Sequence, residues 1–332
     1  MKRRWKITLA VVATLVVLGA GGFVWMLARP PKPAKIAEPG PTGRRIDAGG
    51  LFANYFPAPG AGRHPGLLLL GGSEGGLGED PKAQALLLQA QGFSTLHLAY
   101  HNAPGKPANL VNVPLEDFYR GLDWLKRQPG VDANRIGIVG YSKGAEAGLL
   151  VATRYAGIRA VVLGMPSSVV WDGLSGMNAV FGSFSSSWSE QGTPVTHLAY
   201  KGRPASDSLL PVFVNGLKEL DRNSGAAIPV EQYKGRLMLI CGEADKLWPS
   251  CPMTDQIVAR ARKAGASQPI VLRYKNAGHG VMGAPYTIPQ TAKRWSSLGG
   301  TLAGNSAARA NSWPKVIAFL RAELGAPSAG TQ

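Results

Sequence analysis

The sequence predicts an α/β fold, a mostly parallel sheet with helices on both faces, preceded by one apolar N-terminal helix. Three observations predict it. Short, continuous apolar runs alternate with longer amphipathic stretches, the pattern of strands buried on both faces and the helices that cover them. A Gly-x-Ser-x-Gly segment joins one such run to one such stretch. The first 45 residues also differ sharply in charge and hydropathy from the rest.

Residues 1–28 carry Lys2, Arg3, Arg4 and Lys6 ahead of an uncharged span at 7–28. A helix of that length, at about 1.5 Å per residue, crosses a hydrocarbon core of roughly 30 Å. Trp5 and Trp25 fall near its two ends, where interfacial aromatics belong. The segment therefore reads as a signal anchor, with a cleaved signal peptide as the alternative. Either way the basic flank stays in the cytoplasm and the rest of the chain lies outside it, as a membrane-tethered or secreted protein. Residues 29–44 hold five prolines and read as an extended linker.

From residue 45 onward no second break in composition occurs, so 45–326 reads as one domain. Its apolar runs lie at 66–70, 93–99, 135–140, 160–163, 236–240 and 269–274; helical stretches are predicted at 80–92, 114–128, 143–156, 252–265 and 310–324. The span 175–230 is rich in Gly, Ser and Pro, has weak periodicity, and reads as an insertion or cap over the sheet.

Composition narrows the function. Apolar residues make up 45% and charged residues 17%, which excludes a disordered or polytopic membrane chain. The net charge of +16 would suggest nucleic acid, but half of it, +8, sits in the first 45 residues. The remainder has no like-charge run of five, and no nucleic-acid partner is expected. With 2 Cys and 5 His, neither a metal site nor a cofactor is expected.

The chemistry-bearing segment is Gly140-Tyr141-Ser142-Lys143-Gly144, between the run at 135–140 and the helical stretch that follows. Strand, G-x-S-x-G, helix is the setting of a nucleophile elbow: small residues permit a tight turn that pushes the serine hydroxyl out. A serine needs a base to take its proton, and the chain order in this setting is Ser, acid, His. His279, flanked by Gly278 and Gly280 after the run at 269–274, is the predicted base. His101, just after a run, is a candidate for lining the pocket, whereas His97 alternates inside a run and reads as structural. Asp245 is the predicted acid, with Glu243 and Asp172 as alternatives. The oxyanion donors are predicted as the backbone N–H groups of Lys143 and Ser73, with Glu74 as the alternative to Ser73. Cys241 and Cys251 flank the Asp245 segment and read either as a disulfide in an oxidising compartment or as buried thiols.

Gly140 with Ser142-Lys143-Gly144-Ala145-Glu146 resembles the elbow of the C-terminal catalytic domain shared by acyl-CoA thioesterases and bile acid-CoA:amino acid N-acyltransferases. Leu98-Ala99-Tyr100, Gly242-Glu243-Ala244-Asp245 with Trp248, Ala277-Gly278-His279 and Gly299-Gly300-Thr301 support it. The resemblance spans roughly 50–325 and implies an α/β-hydrolase, dienelactone-hydrolase-like fold with Ser142, Asp245 and His279 as triad. The family's animal members carry a further β-sandwich domain, for which the 21 residues at 45–65 leave no room. Its animal acyltransferases resemble this pattern with Cys as nucleophile, so Ser142 implies transfer to water. The expected function is a serine hydrolase of small-molecule acyl esters or thioesters. The alternatives are an acyltransferase to an amine or alcohol, and a catalytically dead, membrane-tethered binding protein.

Overall fold

Leu67, Leu68, Leu69 and Leu70 alternate between opposite faces of one strand, and all four are fully buried. Burial on both faces requires helices on both sides, and the computed structural model has them. It describes residues 21–22, 31–175, 185–285 and 298–325. Strands are β1 (Arg44–Ala48), β2 (Leu51–Phe56), β3 (His64–Leu70), β4 (Ser94–Leu98), β5 (Val113–Pro114), β6 (Val131–Tyr141), β7 (Ile158–Gly164), β8 (Trp188–Glu190), β9 (Thr193–Pro194), β10 (Arg236–Gly242) and β11 (Ile270–Tyr274). Helices are α1 (Glu79–Ala90), α2 (Leu115–Lys126), α3 (Lys143–Ala152), α4 (Leu210–Leu217), α5 (Ser250–Lys263) and α6 (Leu302–Leu324).

The main sheet has eight strands in the order β1-β2-β4-β3-β6-β7-β10-β11. The strands from β4 to β11 in that order are parallel; β1 and β2 add antiparallel at one edge. One core cluster joins Leu68, Leu70, Ile138 and Leu239 to Phe118 and Leu122 of α2, Leu149 of α3 and Ile257 of α5. The other joins Leu67, Leu69, Val139 and Met238 to Leu88 of α1 and to Val316 and Leu320 of α6. Each fully buried Leu contributes roughly 1.5–3 kcal/mol over leaving it in water.

The six apolar runs are thus the six parallel strands. The β1–β2 hairpin was not among the expected elements. β1 is an exposed edge strand, Arg44-Arg45-Ile46-Asp47-Ala48, with no apolar run to mark it. α6 begins eight residues before the expected start at 310, with the Thr301 side chain accepting from Gly304 N at its N-terminus.

Residues 32–37 of the expected linker lie against the domain. Ile36 pairs with Leu77, Ala37 N donates to Leu77 O at 2.7 Å, and Leu77 N donates to Lys35 O at 3.1 Å. Ile36 also packs on the cluster of Phe52, Leu77 and Ala99. The expected cap, where described, is tied into the body. β5, β8 and β9 form a small second sheet, and Trp188, Ile228 and Phe213 join the two cores. Among the described residues no helix is long and apolar enough to cross a membrane; the predicted anchor, apart from Gly21 and Gly22, lies outside them.

Burial holds His97 on β4 down at about 3, aided by Arg45, and holds His101 down at about 4. Both imidazoles titrate near 6.5 when unfolded. Below that pH the unfolded chain takes up protons the folded chain refuses, so this contribution to stability, present above pH 6.5, is lost as pH falls toward about 4 and then 3. The urea midpoint is expected to fall between about pH 7 and about pH 5; a midpoint that stays level would remove the two histidines as its cause.

Candidate active site

β6 ends at Tyr141 and α3 begins at Lys143, leaving Ser142 alone in the turn at φ 53°, ψ −119°. A positive φ on a residue with a side chain costs about 1–3 kcal/mol and persists only where the surroundings enforce it. Here they do. A Cβ at Gly140 would lie 2.4 Å from Gly144 O, and one at Gly144 would lie 2.1 Å from Gly71 O, so neither position admits a side chain. Ser142 N donates to Gly164 O at 3.0 Å, and Ser142 O accepts from Ala145 N at 2.9 Å. The hydroxyl is pushed out at the C-terminal end of the parallel strands.

The three residues predicted to act together are hydrogen-bonded in series. His279 Nε2 lies 2.9 Å from Ser142 Oγ, and His279 Nδ1 lies 2.9 Å and 3.1 Å from the Asp245 oxygens. An Nδ1–H donated to the carboxylate leaves Nε2 as acceptor for the serine proton. His279 rides on the loop after β11. That loop is clamped from α6 and the segment before it: His279 N donates to Leu298 O, and Gly278 N to Asn305 Oδ1. Asp245 follows β10. Its carboxylate accepts from Leu247 N at 2.9 Å, Trp248 N at 3.2 Å and Ser250 Oγ at 2.8 Å, which fixes its orientation. The Cys241–Cys251 disulfide brackets this loop, joining the end of β10 to the start of α5. The Trp248 ring meets the His279 ring edge-on at 5.6 Å and shields it from water.

The alternatives sit elsewhere. Glu243 is exposed beside Arg273. Asp172 is buried but faces His197 Nε2 at 3.1 Å and Tyr200 N at 3.3 Å. His101 does not line the cavity; its Nε2 lies 3.3 Å from Ser73 O, where it braces the loop at 71–76 from behind. Ser73 and Glu74 both border the cavity, and Glu74 Oε1 accepts from Gly72 N at 3.0 Å. Lys143 opens α3, so its N–H belongs to the first turn that lacks intrahelical partners.

A cavity of about 390 Å³ opens beside Ser142. Met165, Leu247, Met282 and Leu298 give it apolar walls, and Glu74, Asp80, Gln84, Tyr141 and Arg309 give it polar ones.

One part of the site went unread in the sequence, the polar network under the elbow. The Lys143 side chain is buried, with Nζ 2.9 Å from Glu146 Oε2 and 2.7 Å from Ser187 Oγ. Glu146 Oε1 accepts from Trp171 N at 3.0 Å and Trp188 Nε1 at 2.8 Å. Burial pulls Lys143 down and pushes Glu146 up, and their mutual attraction opposes both shifts. The i,i+3 spacing of a cation and an acid in an otherwise apolar helix was the available signal. Breaking a buried pair strands one charge, so Lys143→Met and Glu146→Gln are each expected to cost about 3–5 kcal/mol. The double variant should cost less than the sum, read from urea midpoints; strict additivity would mean that the two are not coupled.

The chain has likenesses in fold and in sequence among known proteins. In solved structures it superposes on a dienelactone hydrolase-like promiscuous phosphotriesterase from metagenomic libraries, with a TM-score of 0.54 at 16% identity, covering 85% of this chain and 98% of that one. It also superposes on an acylaminoacyl peptidase of Pyrococcus horikoshii, with a TM-score of 0.55 at 15% identity, covering 87% of this chain and 42% of that one. Both likenesses are of fold, and the fold is α/β-hydrolase-like. In sequence it is 32% identical to the bile acid-CoA:amino acid N-acyltransferase of Mus musculus over 284 residues, 81% of this chain and 62% of that protein. It is 29% identical to the mitochondrial acyl-coenzyme A thioesterase 2 of Mus musculus over 290 residues, 85% of this chain and 60% of that protein. The chain thus spans under two thirds of the length of these relatives. The family model described as BAAT / acyl-CoA thioester hydrolase C terminal matches residues 113–326. By that match, over more than half its length, the chain belongs to the BAAT / acyl-CoA thioester hydrolase C-terminal family.

Proposed function

We propose that the chain is a serine hydrolase that cleaves acyl esters or thioesters through an acyl-enzyme. The observation that carries this reading is the unbroken hydrogen-bond series from Ser142 Oγ through His279 to Asp245, opening on a cavity. Ser142 Oγ attacks the carbonyl carbon while His279 Nε2 takes its proton. The N–H groups of Lys143 and Ser73 hold the oxyanion. The C–O or C–S bond then breaks, and His279 returns its proton to the departing alkoxide or thiolate, which leaves the imidazole neutral for the next step. Water deprotonated by His279 attacks the acyl-enzyme and frees Ser142. Asp245 holds the imidazole in its working tautomer and stabilises the imidazolium.

The second reading, transfer to an amine, is favoured by the name of one relative, an N-acyltransferase. Both readings are tested with the purified full-length protein on p-nitrophenyl esters and acyl-CoAs of matched chain length, with and without a primary amine. Free acid as the product supports the hydrolase, and amide as the main product would replace it. A fluorophosphonate probe should label Ser142; absence of labelling and turnover together would leave a binding protein.

We further propose that the catalytic domain lies outside the cytoplasm, tethered through residues 1–28. The uncharged span at 7–28 behind a basic flank supports this, and so does the Cys241–Cys251 disulfide, since such bonds persist in oxidising compartments. A C-terminal alkaline phosphatase fusion should be active, and recovery of the intact chain from cytosol would refute the placement.

A further inference from the structure

The loop after β3 turns two successive carbonyls to one side, and a single hydroxyl meets them both. Tyr100 OH lies 2.7 Å from Gly71 O and 2.8 Å from Gly72 O. Tyr100 comes two residues after β4 and is buried. Its ring centre lies 5.3 Å from that of Phe118 on α2 and 5.7 Å from that of Trp188 on β8. Burial pushes the phenol well above its ordinary value, and Glu74 and Glu146 push the same way, so it keeps its proton and donates. Gly71, Gly72, Ser73 and Glu74 border the cavity beside Ser142, and Tyr100 does not. The hydroxyl therefore grips the loop from behind.

In a planar trans peptide the C=O and the N–H point in opposite directions, and none of the described peptide bonds is cis. Gly71 O shares its peptide with Gly72 N–H, and Gly72 O shares its peptide with Ser73 N–H. Both N–H groups are thus turned away from Tyr100. The bond made by the first fits this direction: Gly72 N donates to Glu74 Oε1 at 3.0 Å, and Glu74 borders the cavity. Ser73 N has no acceptor among the described residues. A Cβ on Gly72 would lie 3.3 Å from Ser142 Cβ, so this stretch of backbone runs beside the nucleophile. Successive N–H groups on one side of a turn make a concavity suited to an anion. Acyl transfer needs such donors, aimed in advance at the developing oxyanion.

We propose that Tyr100 is a positioning residue of the oxyanion hole: its hydroxyl, holding Gly71 O and Gly72 O from behind, aims Ser73 N–H at the carbonyl oxygen of the substrate. The proposal rests on Ser142 being the nucleophile and Ser73 N–H an oxyanion donor, and it adds what sets that donor's direction.

The test uses the purified full-length protein with p-nitrophenyl butyrate and with a trifluoromethyl ketone of matched chain length, which a serine nucleophile converts to a tetrahedral oxyanion. Tyr100→Phe removes one oxygen and leaves the ring between Phe118 and Trp188. It should lower kcat by about thirtyfold, less than the roughly hundred- to thousandfold that losing a donor outright costs. KM should stay within about threefold of wild type. The Ki of the ketone should rise by the factor by which kcat falls, since both report the oxyanion. Ser73→Pro deletes the N–H itself and should lower kcat by about a hundredfold or more. The double variant should be no slower than Ser73→Pro, because with the donor gone its aim no longer matters. A Tyr100→Phe enzyme within about threefold of wild type in kcat overturns the proposal. So does a double variant slowed by the product of the two single effects, the mark of a hydroxyl that acts apart from Ser73 N–H. Ser73→Pro remains decisive if Tyr100→Phe fails to fold: near-wild-type kcat there sinks the donor and the proposal together and leaves Ser142 standing. Turnover that survives Ser142→Ala sinks the nucleophile reading and the proposal with it.

Discussion

Ser142→Ala is expected to lower kcat by about a million-fold, roughly 8 kcal/mol of barrier, while the fold and its urea midpoint stay close to wild type. The size follows from the geometry. The hydroxyl 2.9 Å from His279 Nε2 is the group that would form the covalent bond, and among the described residues no neighbouring hydroxyl has a comparable partner. Ser187 Oγ is committed to Lys143 and to Asp172 O, and Ser250 Oγ to Asp245. Ser73 borders the cavity, and the imidazole near it, His101, has its Nε2 at 3.3 Å from the Ser73 backbone oxygen. The stability should change little, because alanine keeps a Cβ at the same positive φ and removes only the hydroxyl. Single-turnover kinetics on an activated ester, with circular dichroism alongside, measure both. Activity within a hundredfold of wild type would show that the nucleophile is another group.

Asp245→Asn is expected to cost about ten-thousand-fold in kcat with little change in KM. Asp245 Oδ1 accepts from Leu247 N and Trp248 N, so an asparagine would keep its oxygen there. Its NH2 would then occupy the place of Oδ2, 2.9 Å from His279 Nδ1. A donor facing Nδ1 forces that nitrogen to accept, which puts the ring proton on Nε2 and leaves no lone pair for the serine proton. Ser250 Oγ can reverse its role and accept from the new NH2, so the loop itself should survive. Glu243→Gln, at an exposed residue beside Arg273, is the matched control and should leave kcat within a few-fold. A near-wild-type Asp245→Asn enzyme would transfer the orienting role to another acid, with Asp172 next to be tried.

The parallel sheet was legible because its strands read as uninterrupted apolar runs: the inner ones are buried on both faces, and β11, though largely exposed at the edge, still runs Ile270-Val271-Leu272. The hairpin at its edge was not. Arg44 faces solvent there and Arg45 is half-buried on Asn54 and Ala37, and what makes β1 a strand is its register against β2, Arg44 opposite Tyr55, which no local pattern records. In the site, Ser142 and His279 were legible because glycines crowd around both, and Asp245 because of its place after β10. The buried network under the elbow was harder to see. Glu146 finds Trp171 and Trp188 at separations of 25 and 42 residues, and a contact of that range leaves no trace in spacing. The pairing of Cys241 with Cys251 also depended on the fold, since it required the start of α5 to turn back against the end of β10.

The docking of residues 32–37 bears on where this chain can be shortened. A fragment that begins at residue 45 loses Ala37, whose carbonyl accepts from Arg45 Nη2 and from Asn54 Nδ2, and loses the two backbone bonds on Leu77. Leu77, now fully enclosed, would be left partly wet at the base of the loop that carries Ser73 and Glu74. Such a fragment, short of Arg44 in β1, would keep the parallel strands and still report a falsely poor enzyme, through a slackened loop and not through damaged chemistry. A cut before residue 32 removes the apolar N-terminal span and retains the strap, and activity compared between the two boundaries would measure how much the strap contributes to holding that loop in place.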